Sequence, residues 1–436
     1  VTFVAYDVTR LFLGPISRTP RGIDRIDLLL ARHFFGTQPD LTVGVLPTPW
    51  GVRTYDSRRV LRGLDRLQGL WAEKGRAEDD RALHWLRSRI LGRQVGPVPQ
   101  VGKLTPLQKM QRIGAMIGAT GFSFGRSVTA SLPQDAAYLN VGQISLALEF
   151  MFRWLDRRPD VRAAMMLHDV IPLEHPDLVA RTSVQFHNRM VKTTARHADG
   201  VIVTTQSAKA AILQALRREG RMDIPSLAAM LPLDPGFDVL TRPDPELASR
   251  PYFVVCGAIE PRKNLGLLLE VWRDLVARLG PETPHLAVVG TPNFRGDEIL
   301  ADFAACEATT PFIHVASGLS TPGLAVLMSG ARALLMPSLA EGFGLPILEA
   351  RALGCPVIAS DIPAHREVMG PNGTLLPPQD VAGWAEAVLA ARNATHRPAR
   401  RAAAELQAAR QGFVAMIEAF LTEAPQLAQP VARRAG

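Results

Sequence analysis

The chain has 436 residues, 47% hydrophobic and 21% charged, which excludes wholesale disorder and exceeds one ordinary core, so two or three domains are expected. The formal charge of +8 is local: residues 53–126 hold 15 Lys/Arg against 6 Asp/Glu, and the rest of the chain 34 against 35. Cys256, Cys306 and Cys355, odd in number, about fifty residues apart and without a Cys-x-x-Cys pair, argue against a disulfide framework and favour a reducing cytoplasm. The first residues lack the basic-then-apolar run of a signal peptide, and no apolar run approaches the ~18–20 residues of a membrane-spanning helix.

In chain order, Thr2–Val8 reads as a strand, Gly22–Phe35 as a helix and Leu41–Leu46 as a second strand. Beyond the basic segment come strands at Ala136–Val141, Val161–His168 and Val201–Thr204. Helical patterns fall near Leu146–Arg157, Pro176–His197 and Gln206–Arg218. A proline-rich connector without periodicity runs from Leu231 to Pro251. A second alternating series follows, with strands at Tyr252–Cys256, His285–Val289, Phe312–Val315, Ala333–Met336 and Pro356–Ala359. Its helices are Leu265–Arg278, Gly296–Cys306, Pro322–Ala331 and Leu345–Leu353. The βαβ rhythm predicts two α/β domains with parallel sheets: 1–235, and 236–400 followed by a C-terminal helix and tail over 401–436.

Within the second series, the strand ending at Met336 leads into Glu341-Gly342-Phe343-Gly344 and then into a helix beginning near Leu345. Two glycines allow close backbone approach, and the free amides of a helix start favour an anion. In open α/β sheets the carboxyl end of a strand is where ligands bind. Glu341 and Glu349 are expected roughly 12 Å apart along a mostly helical segment, beyond the ~5–9.5 Å of a glycosidase pair. That spacing suits one carboxylate at each end of an elongated ligand with a phosphate at its middle. Taken singly, Glu349 also reads as a solvated helix residue and Glu341 as a charge favoured by the helix dipole. A second site follows Cys256: Arg262 and Lys263 stand at a helix start, where cations are unfavourable unless a ligand supplies negative charge.

Glu341-x7-Glu349 with Gly-Phe-Gly, preceded by Arg262-Lys263-Asn264, resembles the retaining glycosyltransferase family 4 of GT-B fold. The resemblance covers residues 250–400 and, in part, the N-terminal half. It implies two Rossmann-like domains facing a cleft, with Arg262 and Lys263 holding a donor diphosphate, Glu349 the ribose hydroxyls and Glu341 the donor sugar. Gly342, Phe343 and Gly344 belong to the same donor site. It further implies that His168, in Leu167-His168-Asp169-Val-Ile-Pro, approaches the transferred sugar, with Asp169 orienting it or capping the loop. Thr19-Pro-Arg-Gly22-Ile-Asp-Arg25 is similar to the Gly-x-Gly-Arg helix start of many relatives, with Asp24 in place of the second glycine. Gly22 is therefore expected on the donor or acceptor side of the cleft.

No Asp-x-Asp triplet occurs and the histidines lack metal-ligand spacing, so no metal and no cofactor are expected. The implied activity is retaining transfer of a hexose from a nucleotide-diphospho-sugar to a surface polysaccharide or a lipid-linked glycan. GDP-mannose is favoured by similarity to O-antigen and capsule mannosyltransferases; dTDP-rhamnose or a UDP-hexose is the alternative. An inactive GT-B glycan-binding scaffold is a further alternative, which would predict loss of Glu341, Lys263 or Glu349. Base recognition is expected in the Ala316–Pro322 loop.

Residues 57–126 read as a basic helical insertion in the N-terminal domain. Its apolar sets are Val60, Leu61, Leu64, Leu67, Leu70 and Trp71, then Leu83, Leu86 and Ile90, then Met110, Ile113, Met116 and Ile117. One reading is a small subdomain with solvated arginines. The other is a basic amphipathic surface for anionic lipid or glycan, which would place the protein in the cytoplasm at the inner face of the plasma membrane. Nucleic acid is not expected as a partner. The insertion is expected to serve acceptor or membrane association and its removal to spare nucleotide binding; collapse of donor binding would make it structural.

Overall fold

The computed structural model describes residues 2–14, 20–72, 77–99, 104–234, 237, 241–370, 373–394 and 399–427. Thr19, parts of the expected insertion (73–76 and 100–103), parts of the connector (235, 236 and 238–240) and residues 428–436 of the expected tail lie outside them.

Two sheets organise the chain. The first contains β1 (Val4–Asp7), β2 (Thr42–Thr48), β3 (Gly51–Asp56), β4 (Arg126–Ser127), β5 (Ala137–Asn140), β6 (Arg162–Met166), β7 (Gly200–Val203) and β8 (Ser226–Ala228). Its order is β4-β3-β2-β1-β5-β6-β7-β8, parallel except where β3 meets β2 and β4. The second contains β9 (Tyr252–Cys256), β10 (His285–Val289), β11 (Ile313–Ala316), β12 (Ala333–Met336), β13 (Val357–Ser360) and β14 (Gly373–Leu376). Its order is β11-β10-β9-β12-β13-β14, with every pairing parallel. The central strands are short apolar runs buried on both faces, as parallel strands covered by helices must be. These two Rossmann-like sheets form the GT-B architecture.

Three local departures have physical causes. The expected helix over Leu146–Arg157 is instead a series of 3₁₀ turns, Ile144–Ala147, Glu149–Phe152 and Leu155–Arg157. The buried Leu146, Ala147, Phe152, Trp154 and Leu155 anchor these short turns to the core. Strand β3 escapes the sequence because Gly51-Val-Arg-Thr-Tyr-Asp56 is a half-exposed, polar stretch near a sheet edge. The C-terminal helix, Ala403–Leu427, returns to the first sheet. Its Phe413, Ile417 and Leu421 are buried, and Glu418 Oε1 accepts a 2.6 Å hydrogen bond from Gln38 Nε2.

The insertion does not stand apart from the donor side. Its helix Ser57–Ala72 buries Val60, Leu64, Leu67 and Leu70 in the core of the first domain. Helix Arg81–Ile90 lies against β11 and the Thr321–Gly330 helix of the second. Asp80 is buried at the junction. Its Oδ1 accepts from Ala82 N and Leu83 N, starting the helix, while Oδ2 accepts from Ser320 N at 2.6 Å. Arg87 adds ion pairs to Asp244 at 2.7 Å and Glu246 at 2.5 Å. The segment bridges both domains and holds the start of the helix that follows the expected base-recognition loop.

Candidate active site

The expected residues gather at the carboxyl ends of β9, β12 and β6, where the two domains meet. After β9, Pro261–Lys263 forms a single 3₁₀ turn, and Asn264 takes a left-handed conformation at φ 53° to open helix Leu265–Leu279. Asn264 Nδ2 donates to Pro337 O and Pro378 O, fixing the turn beside the loop after β12. Arg262 and Lys263 both reach Glu341: Arg262 NH1 lies 2.9 Å from Oε2, and Lys263 Nζ donates to Oε1, which also accepts from Ser338 Oγ. Arg262 Nε pairs with Glu260 at 2.5 Å, and Asn293 Nδ2 donates to the other Glu260 oxygen.

Negative charge expected from a ligand is therefore supplied here by the chain's own Glu260 and Glu341. Burial alone would raise the Glu341 pKa, but Lys263 and Arg262 more than offset it and hold the carboxyl well below its usual range. Glu341 stays ionised and pins both cations at the cleft. Cations held in fixed positions in this way are the kind of preorganised donors that can stabilise developing negative charge.

Gly344 sits at φ 95°, a left-handed conformation that turns the chain from the Glu341 loop into helix Leu345–Ala352. Gly342 serves close approach instead. A Cβ there would lie 2.8 Å from Asp169 Cβ and 2.9 Å from His168 O, across the domain boundary. Thr204 Oγ1 and Thr205 Oγ1 both donate to Gly342 O, at 3.1 and 3.2 Å. Phe343 is buried beneath the loop. His365, fully buried, backs Gly344, and its Nδ1 donates to Ser360 O at 2.9 Å.

His168 is buried, its backbone amide held by Gln143 Oε1 and its Nε2 lying 3.0 Å from Val141 O. A carbonyl only accepts, so Nε2 carries the proton and Nδ1 is the basic nitrogen. Burial lowers its pKa to about 4, so the ring is neutral near pH 7. Asp169 caps the following turn, accepting from Ile171 N at 3.2 Å.

Glu349 has a partner that the sequence did not name. Arg25, one turn into helix Gly22–Thr37, crosses from the first domain and donates to Glu349 Oε1 at 3.0 Å and Thr321 Oγ1 at 3.0 Å. Gly22 lies directly against Leu345, which a Cβ would meet at 2.4 Å. Burial raises the Glu349 pKa to about 7, with Arg25 opposing and Asp234 adding to the rise. The two glutamates thus have separate partners, Glu341 on its own domain and Glu349 across the cleft. Arg25 lay inside the Gly22 segment already noted, but its partner is 324 residues away in sequence. Among the described residues no three His, Cys, Asp or Glu side chains gather as a metal-binding group.

Residues 250–393 match the model of the family Glycosyl transferases group 1, on a GT-B frame. Solved structures share that frame along nearly the whole chain. Anabaena HepE in complex with UDP and glucose matches at TM-score 0.58 and 18% identity, over 98% of this chain and 100% of that one. Sucrose-phosphate synthase from Thermosynechococcus elongatus matches at TM-score 0.54 and 15% identity, over 97% and 96%.

Curated relatives are narrower in coverage and closer in sequence. O-antigen chain mannosyltransferase B of Escherichia coli is 26% identical over 226 residues, 50% of this chain and 58% of that protein. The MMP alpha-(1->4)-mannosyltransferase of Mycolicibacterium hassiacum is 36% identical over 133 residues, 29% and 30% of the two chains. The chain thus spans less than two thirds of the length of these relatives.

Proposed function

We propose that the protein transfers a hexose, with retention, from a nucleotide-diphospho-sugar to a bacterial surface polysaccharide or a lipid-linked glycan. The donor favoured is GDP-mannose, in keeping with the mannosyltransferase relatives. The observation that carries the proposal is the Arg262–Glu341–Lys263 cluster, whose loop meets His168 and Asp169 of the first domain at Gly342. In this reading the bond between the sugar's anomeric carbon and the diphosphate oxygen breaks. The acceptor hydroxyl oxygen bonds to the same face of that carbon, and its proton passes to the leaving phosphate oxygen.

Arg262, Lys263 and the amides near Gly342–Gly344 stabilise the departing diphosphate, so the reaction is proposed to run without a metal or cofactor. Glu349 receives the ribose hydroxyls, Glu341 orders the cation pair beside the donor sugar, and neutral His168 accepts a hydrogen bond at Nδ1 rather than supplying a charge. The protein is proposed to work at the inner face of the plasma membrane, with no nucleic-acid partner.

A thermal-shift series with GDP, UDP and dTDP tests the donor. A ligand at one hundred times its Kd stabilises the folded chain by about 2.7 kcal/mol, so GDP should raise the melting temperature most. A larger shift with UDP or dTDP moves the assignment to a UDP-hexose or dTDP-rhamnose. No shift with any of the three contradicts the proposal. Nucleotide release from the sugar nucleotide separates an enzyme from an inactive scaffold.

A further inference from the structure

Two of the insertion's apolar sets are buried, but the third is not. On helix Pro106–Thr120 only Met116 and Thr120 are buried, while Leu107 is 64% exposed, Met110 68%, Ile113 42% and Ile117 50%. At 3.6 residues per turn these four fall within an arc of roughly 120° on the helix surface. The patch continues past the helix end into Phe122 and Phe124, 68% and 62% exposed, which stack edge-on with Trp50. Trp50 Nε1 donates to Phe124 O at 2.9 Å, so these rings are held in place.

The backbone beneath is also fixed. Arg59 NH1 donates to Gly121 O, and Arg62 donates to Ala119 O and Thr120 O. Exposed apolar side chains gathered on one helix face and on the segment that follows it, over a fixed backbone, mark a contact surface rather than chance exposure.

The charge around it names the partner. No Asp or Glu occurs between Asp80 and Asp135, and Lys109 and Arg126 are exposed beside the patch. Apolar and aromatic side chains at the centre with cations at the margin match an anionic lipid bilayer, in which Phe and Trp sit at the boundary of headgroup and acyl chain. Among the described residues no helix is long and apolar enough to cross a membrane.

We infer that Leu107, Met110, Ile113, Ile117, Phe122 and Phe124 form a docking face for the surface of an anionic bilayer. The inference specifies the membrane partner of the proposed function, yet it stands on observations that the donor site does not share.

The test is flotation of the full chain with phosphatidylcholine vesicles, with and without phosphatidylglycerol. Binding is expected to the anionic vesicles and to weaken with salt. Ile113→Ser/Ile117→Ser and Phe122→Ser/Phe124→Ser, both at exposed positions, should each cut partition at least about tenfold while leaving the melting temperature unchanged. Lys109→Glu/Arg126→Glu should remove the preference for phosphatidylglycerol.

The inference is overturned if the unmodified chain ignores both vesicle types or if the serine variants bind like the parent. It is also overturned if the patch instead supports self-association, seen as a larger particle by light scattering that the serine variants abolish. Nucleotide binding measured on the same proteins keeps the two proposals separable, since the serine variants should retain it whatever the lipid result.

Discussion

Glu349 is the residue whose chemistry is most sensitive to its surroundings. Burial holds its pKa at about 7, above the ordinary carboxylate range, despite the Arg25 guanidinium at 3.0 Å. A folded-state pKa above the unfolded one stabilises the fold below the ordinary value, and that contribution is lost as pH rises through about 7. Ligand binding has the opposite sign. Ribose hydroxyls donate to a carboxylate, so nucleotide affinity should strengthen as pH rises through the same range, with proton release on binding. Titration calorimetry at several pH values checks this, and Glu349→Gln should flatten the profile and weaken binding. Arg25→Ala removes a nearby cation and should move the midpoint upward. Glu349 itself was visible in the sequence as the end of Glu341-x7-Glu349. Arg25 was not paired with it, because a contact between domains leaves no periodic mark along the chain.

Among the elements, the strands were the most legible, since a parallel strand buried on both faces is a short apolar run. Strand β3, one in from the sheet edge, and the 3₁₀ turns over 144–157 were not, because a half-exposed polar stretch reads as a loop and a run of short turns rich in apolar residues reads as a helix. The insertion's helical spacing was legible in the sequence, but its packing against the second domain was not. The buried part of its tie to the second domain is one carboxylate, Asp80, which resembles any other helix cap in the sequence and is joined by the Arg87 ion pairs to Asp244 and Glu246. Asp80→Ala removes that cap and leaves Ser320 N–H without its acceptor, losses of about 0.5–2 and 1–3 kcal/mol when taken separately. The variant should therefore melt at a lower temperature by calorimetry. Hydrogen exchange should show faster opening of residues 316–324, together with weaker nucleotide affinity. Unchanged exchange in that segment would contradict the bridging role.

At the scale of the whole molecule, the site exists only where the domains meet. Arg262, Lys263, Glu341 and Glu349 come from the second sheet, and His168, Asp169, Gly22 and Arg25 from the first. At Gly342 the fit is tight against backbone, with Asp169 and His168 leaving no room for a Cβ. Gly342→Ala should force the domains apart or shift the loop, lowering transfer by at least about tenfold while each domain stays folded, the kind of loss a misplacement of about 1 Å causes. Small-angle scattering together with turnover tests it.

The central claim is that the Arg262–Lys263 pair, ordered by Glu341, stabilises a departing diphosphate. Sugar transfer by Lys263→Ala at saturating GDP-mannose tests that claim most directly. Loss of one preorganised donor should lower kcat by about 10²–10³, and unchanged transfer would contradict the account.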